Sequence, residues 1–165
     1  MRQKFFALTA ALMLGSFTFA KLRRDSTKDK DSSAPHVMLT PGEIKWQPMP
    51  HEWAVGPPPP GFKLKAEIAI VQGDPTKEGA LFVIRMRSPA GAQVPPHWHT
   101  VDENITVLSG IFCVGIGDKF DENACQDMTA GSYMVLPKGM HHFAVAKDDV
   151  IQIHGIGPFQ IHWVK

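Results

Sequence analysis

Residues 91–110 read GAQVPPHWHTVDENITVLSG and are the most informative part of the sequence. His97 and His99 lie two residues apart, so both side chains project from the same face of an extended chain. Glu103 has the same parity and returns to that face further along. Two imidazoles and one carboxylate placed in this way favour a shared divalent cation. The stretch therefore predicts one wall of a metal site.

A second unit spans residues 131–142 and reads GSYMVLPKGMHH. Pro137 and Gly139 predict a tight turn that presents His142 at the start of the next strand. We expect His142 to be the fourth ligand, since three ligands from one ribbon would leave a cation half in water. A one-residue shift of the turn would exchange His142 with His141, because neighbouring strand residues face opposite ways.

These two units resemble the paired motifs of the cupin superfamily. The first motif, G-x5-H-x-H-x3,4-E-x6-G, is matched at Gly91, His97, His99, Glu103 and Gly110. The second, G-x5-P-x-G-x2-H-x3-N, is matched at Gly131, Pro137, Gly139 and His142. Its final Asn is Ala146 here, a departure that weakens inference to any particular enzyme of the family.

The resemblance implies an all-β fold, a double-stranded β-helix or jelly-roll barrel with the metal near its centre. It implies His97, His99, Glu103 and His142 as ligands of one divalent transition metal: iron, manganese, nickel, copper or zinc. The remaining coordination positions would take water, oxygen or substrate. Affinity alone does not identify the native metal, because copper and zinc bind most such sites more tightly than the others.

The flanking sequence also favours strands. Residues 62–71 alternate apolar and polar side chains, and residues 80–87 are rich in β-branched residues. Further short strands are predicted at residues 103–108, 111–116, 133–136, 142–146, 150–154 and 159–164. Gln152 and His154 share one face of a strand and are candidates to line the cavity. Regularly spaced short strands between turns predict a sandwich or barrel.

The N-terminus predicts export. Residues 1–20 combine a basic start, an apolar run and a small final residue, as a secretory signal peptide does. The run is short for a bilayer span of about 20 residues, although Lys21, Arg23 and Arg24 leave an uncleaved anchor as the alternative. We expect a disordered leader at 21–36, an arm at 37–60, a barrel domain at 61–165, and a periplasmic or secreted location.

Export gives the two cysteines two interpretations. Cys113 and Cys125 would mature in an oxidising compartment, where a disulfide can form between them. Two buried free thiols are the alternative, since the sequence does not give the Cα separation that a bridge requires.

The composition excludes some partners. A net charge of +1 gives no electrostatic reason to expect nucleic acid. We expect a small-molecule ligand or substrate, and by analogy with the family a homodimer made through the arm. Arg85 and Arg87 lie on the same face of one predicted strand. They would either anchor an anionic substrate or be solvated charges outside the barrel, and we favour the second.

Two functions remain open from the sequence. The first is a metal-dependent enzyme of the oxygenase type that acts on a small organic molecule. The second is a non-catalytic cupin that binds or senses a small ligand around a stabilising metal. A water and a positioned general base beside the metal would favour the enzyme, whereas a cavity packed shut by Met or Phe would favour binding.

Overall fold

The computed structural model describes residues 36–165. The predicted signal peptide and all but the last residue of the predicted leader lie outside the described residues. In the described part, no helix is long and apolar enough to cross a membrane. Residues Val37–Lys165 form one compact unit.

The described chain is built from strands, which confirms the all-β prediction. Two short 3-10 turns, Pro41–Glu43 and His51–Trp53, lie in the arm. The strands are β1 (Gln47–Pro48), β2 (Ala54–Val55), β3 (Glu67–Gly73), β4 (Leu81–Ser88), β5 (Gln93–His99), β6 (Glu103–Ile116), β7 (Gln126–Thr129), β8 (Tyr133–Leu136), β9 (His142–Ile156) and β10 (Ile161–Trp163).

The two longest strands of the jelly-roll barrel, β6 and β9, pair with each other in antiparallel fashion along most of their length. They pair from Asn104 opposite His154 to Ile116 opposite His142. β9 also pairs with β4 and β5, so that the sheet order is β1-β3-β4-β9-β5-β10-β2, while β7 and β8 add to β6. This topology brings the first residue of β9 beside the end of β5, where the candidate ligands lie.

The predicted boundaries differ most at the long strands. Residues 103–108 and 111–116 both belong to β6, and residues 142–146 and 150–154 both belong to β9. Gly110 looks like a turn residue in the sequence, but it is part of an irregularity in the β6–β9 ladder between Ser109 and Ile111. A β-bulge accommodates the extra residue on β9 without ending either strand.

The core follows the alternation of the strands. Phe82, Ile84, Ile105, Ile151 and Ile153 are at most 4% exposed and pack together from β4, β6 and β9. Trp53 of the arm joins the same cluster and is also buried. Because strands β1 and β2 of the arm pair with β3 and β10, the arm lies against the barrel wall.

The two cysteines form a disulfide. Cys113 of β6 and Cys125, which precedes β7, have Cα atoms 5.4 Å apart, inside the range that a bridge needs. The structure thus selects the disulfide over the free thiols. The bridge closes the loop between two strands that pair directly, β6 and β7.

Asp149 is a buried carboxylate in β9, and neither of its carboxylate oxygens has a hydrogen-bond partner. Burial, together with the negative charge of the neighbouring Asp148, raises the pKa of Asp149 to about 7. Between pH 3.8, the ordinary pKa of the group, and about pH 7, Asp149 therefore keeps its proton in the folded protein and loses it in the unfolded chain. Stability is expected to fall as the pH rises towards 7, because ionisation is easier in the unfolded chain.

Asp149→Asn should remove this part of the pH dependence and make the protein more stable than the wild type at pH 8. The measurement is the urea midpoint between pH 4.5 and pH 8. Glu78→Gln, which changes an exposed carboxylate that does not contribute to the shift of Asp149, serves as the control and should retain the wild-type slope. An unchanged slope in Asp149→Asn would show that Asp149 ionises normally in the folded protein.

Candidate metal centre

Four side chains from three strands meet inside the barrel. β5 supplies His97 and His99, the first residue of β6 supplies Glu103, and the first residue of β9 supplies His142. All four residues are at most 5% exposed. His97 lies opposite His142 in the ladder between β5 and β9. Strand pairing therefore brings together the two sequence units.

The distances between the donor atoms are those of a compact site. One nitrogen from each of His97, His99 and His142 lies within 4.8 Å of the others. The Oε2 atom of Glu103 lies 3.3 Å from Nε2 of His99 and 3.4 Å from Nε2 of His142. Donors that each lie about 2.0–2.2 Å from one metal ion would be separated by distances of this order.

Backbone carbonyls fix the orientation of the three rings. The Nδ1 atom of His97 lies 2.8 Å from the carbonyl oxygen of Pro95, and that of His142 lies 2.9 Å from the carbonyl oxygen of Met140. The Nδ1 atom of His99 lies 3.1 Å from the carbonyl oxygen of Gln160. Because a carbonyl only accepts, each Nδ1 carries the hydrogen, and each neutral ring keeps its lone pair on Nε2.

The donor set suits a cation. With hydrogen on Nδ1, the Nε2 atoms and Oε2 of Glu103 are all acceptors, and they face each other inside the protein. Nε2 of His99 and Oε2 of Glu103 have no hydrogen-bond partner. Buried acceptors in such an arrangement are costly unless a proton or a metal ion lies between them. Three nitrogens and one carboxylate oxygen are the donors that a divalent transition metal accepts.

Burial and mutual charge set the protonation of the site. Burial lowers the pKa of His97 well below its ordinary value, and the neighbouring His142 and His99 lower it further. Burial also lowers the pKa of His99, although Glu103 opposes this. The two rings are therefore neutral at pH 7 and available as ligands.

Glu103 and His142 are coupled. Burial by itself would raise the pKa of Glu103, but His99 and His142 outweigh it and the net pKa is lowered. Burial would lower the pKa of His142, but the Glu103 carboxylate beside it raises the net value. A metal ion bound at Nε2 of His142 would take the place of any proton on that atom.

A narrow apolar chamber adjoins the four side chains. Its volume is about 40 Å³, and apart from the four it is lined by apolar side chains: Met49, Trp53, Ile68, Ile84, Met86, Val94, Ile105, Phe112, Ala144, Ile151, Ile153, Phe159 and Ile161. No further titratable side chain lines the chamber within residues 36–165.

Other predicted candidates lie outside the chamber. His141 is partly exposed, and its Nδ1 lies 2.6 Å from a carboxylate oxygen of Asp118. His142 rather than His141 therefore faces the interior. Gln152 and His154 do not line the chamber, so that suggestion is wrong. They have the opposite parity in β9 to the buried Ile151 and Ile153.

The two arginines also face away from the chamber. Nη2 of Arg87 lies 2.6 Å from a carboxylate oxygen of Glu67, and its guanidinium lies 4.7 Å from the centre of the Trp46 ring. Arg85 donates to the side chain of Gln152 at 3.2 Å. Both are charges on the outer wall, and neither lines the chamber that adjoins the candidate ligands.

Two elements of the site were not predicted from the sequence. Phe159 stacks on the His99 ring, with centroids 4.4 Å apart and planes 18° apart. The arm contributes Met49 and Trp53 to the chamber, and Trp53 meets Phe159 edge to face at 6.0 Å. No periodicity marks these residues, since the contacts join distant parts of the chain.

Comparisons with known proteins agree with the fold. A family model described as cupin matches residues 67–157. Among solved structures, KdgF from Halomonas sp. is 23% identical with a TM-score of 0.50, over 74% of this chain and 94% of the other. The polyketide cyclase RemF from Streptomyces resistomycificus is 16% identical with a TM-score of 0.56, over 76% of this chain and 84% of the other. No curated protein sequence matches this one significantly.

Proposed function

Since the chain belongs to the cupin family, we propose that it holds one divalent transition metal and acts with it on a small organic molecule. The proposed ligands are His97, His99, Glu103 and His142. The observation that carries the proposal is the set of buried acceptors, three Nε2 atoms and one carboxylate oxygen, directed at a common region.

The residues of this chain would hold the metal without further rearrangement of the rings. The carbonyl oxygens of Pro95, Gln160 and Met140 already fix the three imidazoles, and such outer contacts commonly orient metal-binding histidines. When bound, the metal would supply open coordination positions for Lewis-acid or redox chemistry. The apolar lining excludes water from that region and strengthens every interaction with the four ligands.

An oxygenase-type activity fits the chamber better than hydrolysis or side-chain acid–base chemistry. Among the described residues, only the four ligands are titratable and face the chamber, so no free side chain is available there as general base. The chemistry would depend on the metal, while the protein binds and orients an apolar substrate against the chamber wall.

A second function is supported by the narrowness of the chamber. Met49, Met86, Phe112 and Phe159 fill much of the barrel interior beside the ligands. Close packing by Met and Phe, together with the lack of a general base among the described residues that line the chamber, favours a cupin that binds or senses a small ligand around a stabilising metal. The two functions share the metal site and differ in turnover.

The experiment that separates them begins with metal analysis of protein from its native compartment. Loaded protein is then screened for oxygen consumption with compact aromatic and aliphatic substrates, using His142→Ala as the metal-free control. Metal-dependent oxygen uptake with one substrate supports the enzyme. Stoichiometric metal and saturable ligand binding without turnover would support the binding protein instead, and absence of metal would overturn both.

Export remains part of the proposal and rests on residues 1–20. Mass spectrometry of the protein from an exported fraction should give a mature N-terminus after Ala20. An intact Met1 in a soluble cytoplasmic fraction would contradict it.

A further inference from the structure

The chamber beside the candidate ligands is too small for an organic ligand of ordinary size. Its volume is about 40 Å³, whereas a site for one water needs about 10–15 Å³ and a typical ligand pocket measures about 300 Å³ or more. A molecule larger than a few atoms therefore reaches the ligands only if part of the chamber wall moves.

One surface cleft adjoins the chamber at a single residue. The cleft has a volume of about 690 Å³ and is lined mostly by the arm, including Pro50, His51 and Pro57, together with Trp163 of β10. Among the residues that the structure describes, Met49 alone lines both this cleft and the chamber. A second surface cleft, which includes Arg87 and Asp149, shares no residue with the chamber.

Met49 is suited to move, whereas its neighbour in the wall is not. Its side chain is unbranched and half-buried, and it follows the two-residue strand β1. Trp53, the other arm residue in the chamber wall, is 4% exposed and packs against Phe159, which in turn stacks on His99. Rotation of Met49 would connect the chamber to the cleft while the Trp53–Phe159–His99 stack stays in place.

We propose that Met49 is the gate between the arm cleft and the metal chamber, and that it limits the size of the ligand that enters. This inference rests on the proposed metal site. The ligand that fits is compact and largely hydrocarbon, with one heteroatom that binds the metal, because the walls beyond the four ligands carry no charged group.

The test uses the full chain loaded with cobalt(II), because the visible absorption of cobalt(II) reports binding of a fifth ligand. Two neutral probes, imidazole and 4-phenylimidazole, are mixed with wild type, Met49→Ala and Met49→Phe. We expect imidazole to bind about tenfold faster to Met49→Ala and about tenfold slower to Met49→Phe than to wild type, since association slows when a conformational change must come first. 4-Phenylimidazole should bind measurably only to Met49→Ala.

His51→Ala is the matched control, because it shortens a side chain of the same cleft that does not line the chamber. It should bind both probes as the wild type does. Opposite effects of Ala and Phe at position 49 rule out general loosening of the arm. Equal rates in all variants that carry a full equivalent of cobalt would overturn the gate and leave the metal site intact. Failure of the wild type to hold cobalt would instead overturn the proposed function.

Discussion

His97→Ala and His142→Ala are each expected to abolish stoichiometric metal binding. Each change removes one of four donors and leaves the others around a larger, partly solvated space. Loss of an outer residue that merely orients a ligand commonly weakens metal binding by about 10–100-fold. Loss of a donor should therefore weaken metal binding by more than about 100-fold. The measurement is metal content after dialysis, with the folded state checked by circular dichroism.

His141→Ala is the control for this prediction. His141 neighbours His142 but is partly exposed and pairs with Asp118 on the outside. Removing it should leave one equivalent of metal per chain. A full equivalent retained by either His97→Ala or His142→Ala would rule out the site as assigned.

Gly110→Ala is expected to destabilise the protein by about 2–5 kcal/mol, the sum of about 1–2 kcal/mol for a left-handed backbone and about 1–3 kcal/mol for overpacking. Gly110 has φ of +69°, and a Cβ atom there would lie 2.0 Å from the carbonyl oxygen of Asp148 in β9. Backbone on the opposite strand has to shift to relieve this contact. The change would therefore disturb the β6–β9 ladder that positions His142.

Gly91→Ala provides a matched comparison at the other end of the same motif. Gly91 has φ of +77°, but a Cβ atom there would meet no atom within 4 Å. Only the cost of the left-handed backbone conformation applies, so the expected loss of stability is about 1–2 kcal/mol. Urea unfolding of both variants measures the difference, and equal destabilisation would show that the contact with β9 is relieved at no cost.

The convergence of His97, His99 and Glu103 on one face was accessible from sequence because these residues occupy alternate positions of extended chain. The choice between His141 and His142 stayed open in the sequence, since a one-residue shift of the turn exchanges them, and the structure places His142 inside. The all-β class followed from short alternating segments. These features are local, so one sequence is enough to predict them.

Other features depend on pairing between distant segments. Alternation places Gln152 and His154 on one face of β9, but only the pairing of β9 with its neighbours determines that this face is the outer one. Gly110 predicts a turn by its residue type, whereas β6 continues through Gly110 opposite a bulge in β9. Met49 and Phe159 reach the site from opposite ends of the described chain, and no local pattern marks either of them.

Anomalous diffraction at the absorption edge of the bound metal, from crystals of protein isolated from its native compartment, would locate the metal directly. If the four side chains bind one ion, we expect one peak per chain, about 2.0–2.2 Å from Nε2 of His97, His99 and His142 and from a carboxylate oxygen of Glu103. A peak elsewhere, or metal bound with any of these four side chains turned away, would contradict this assignment.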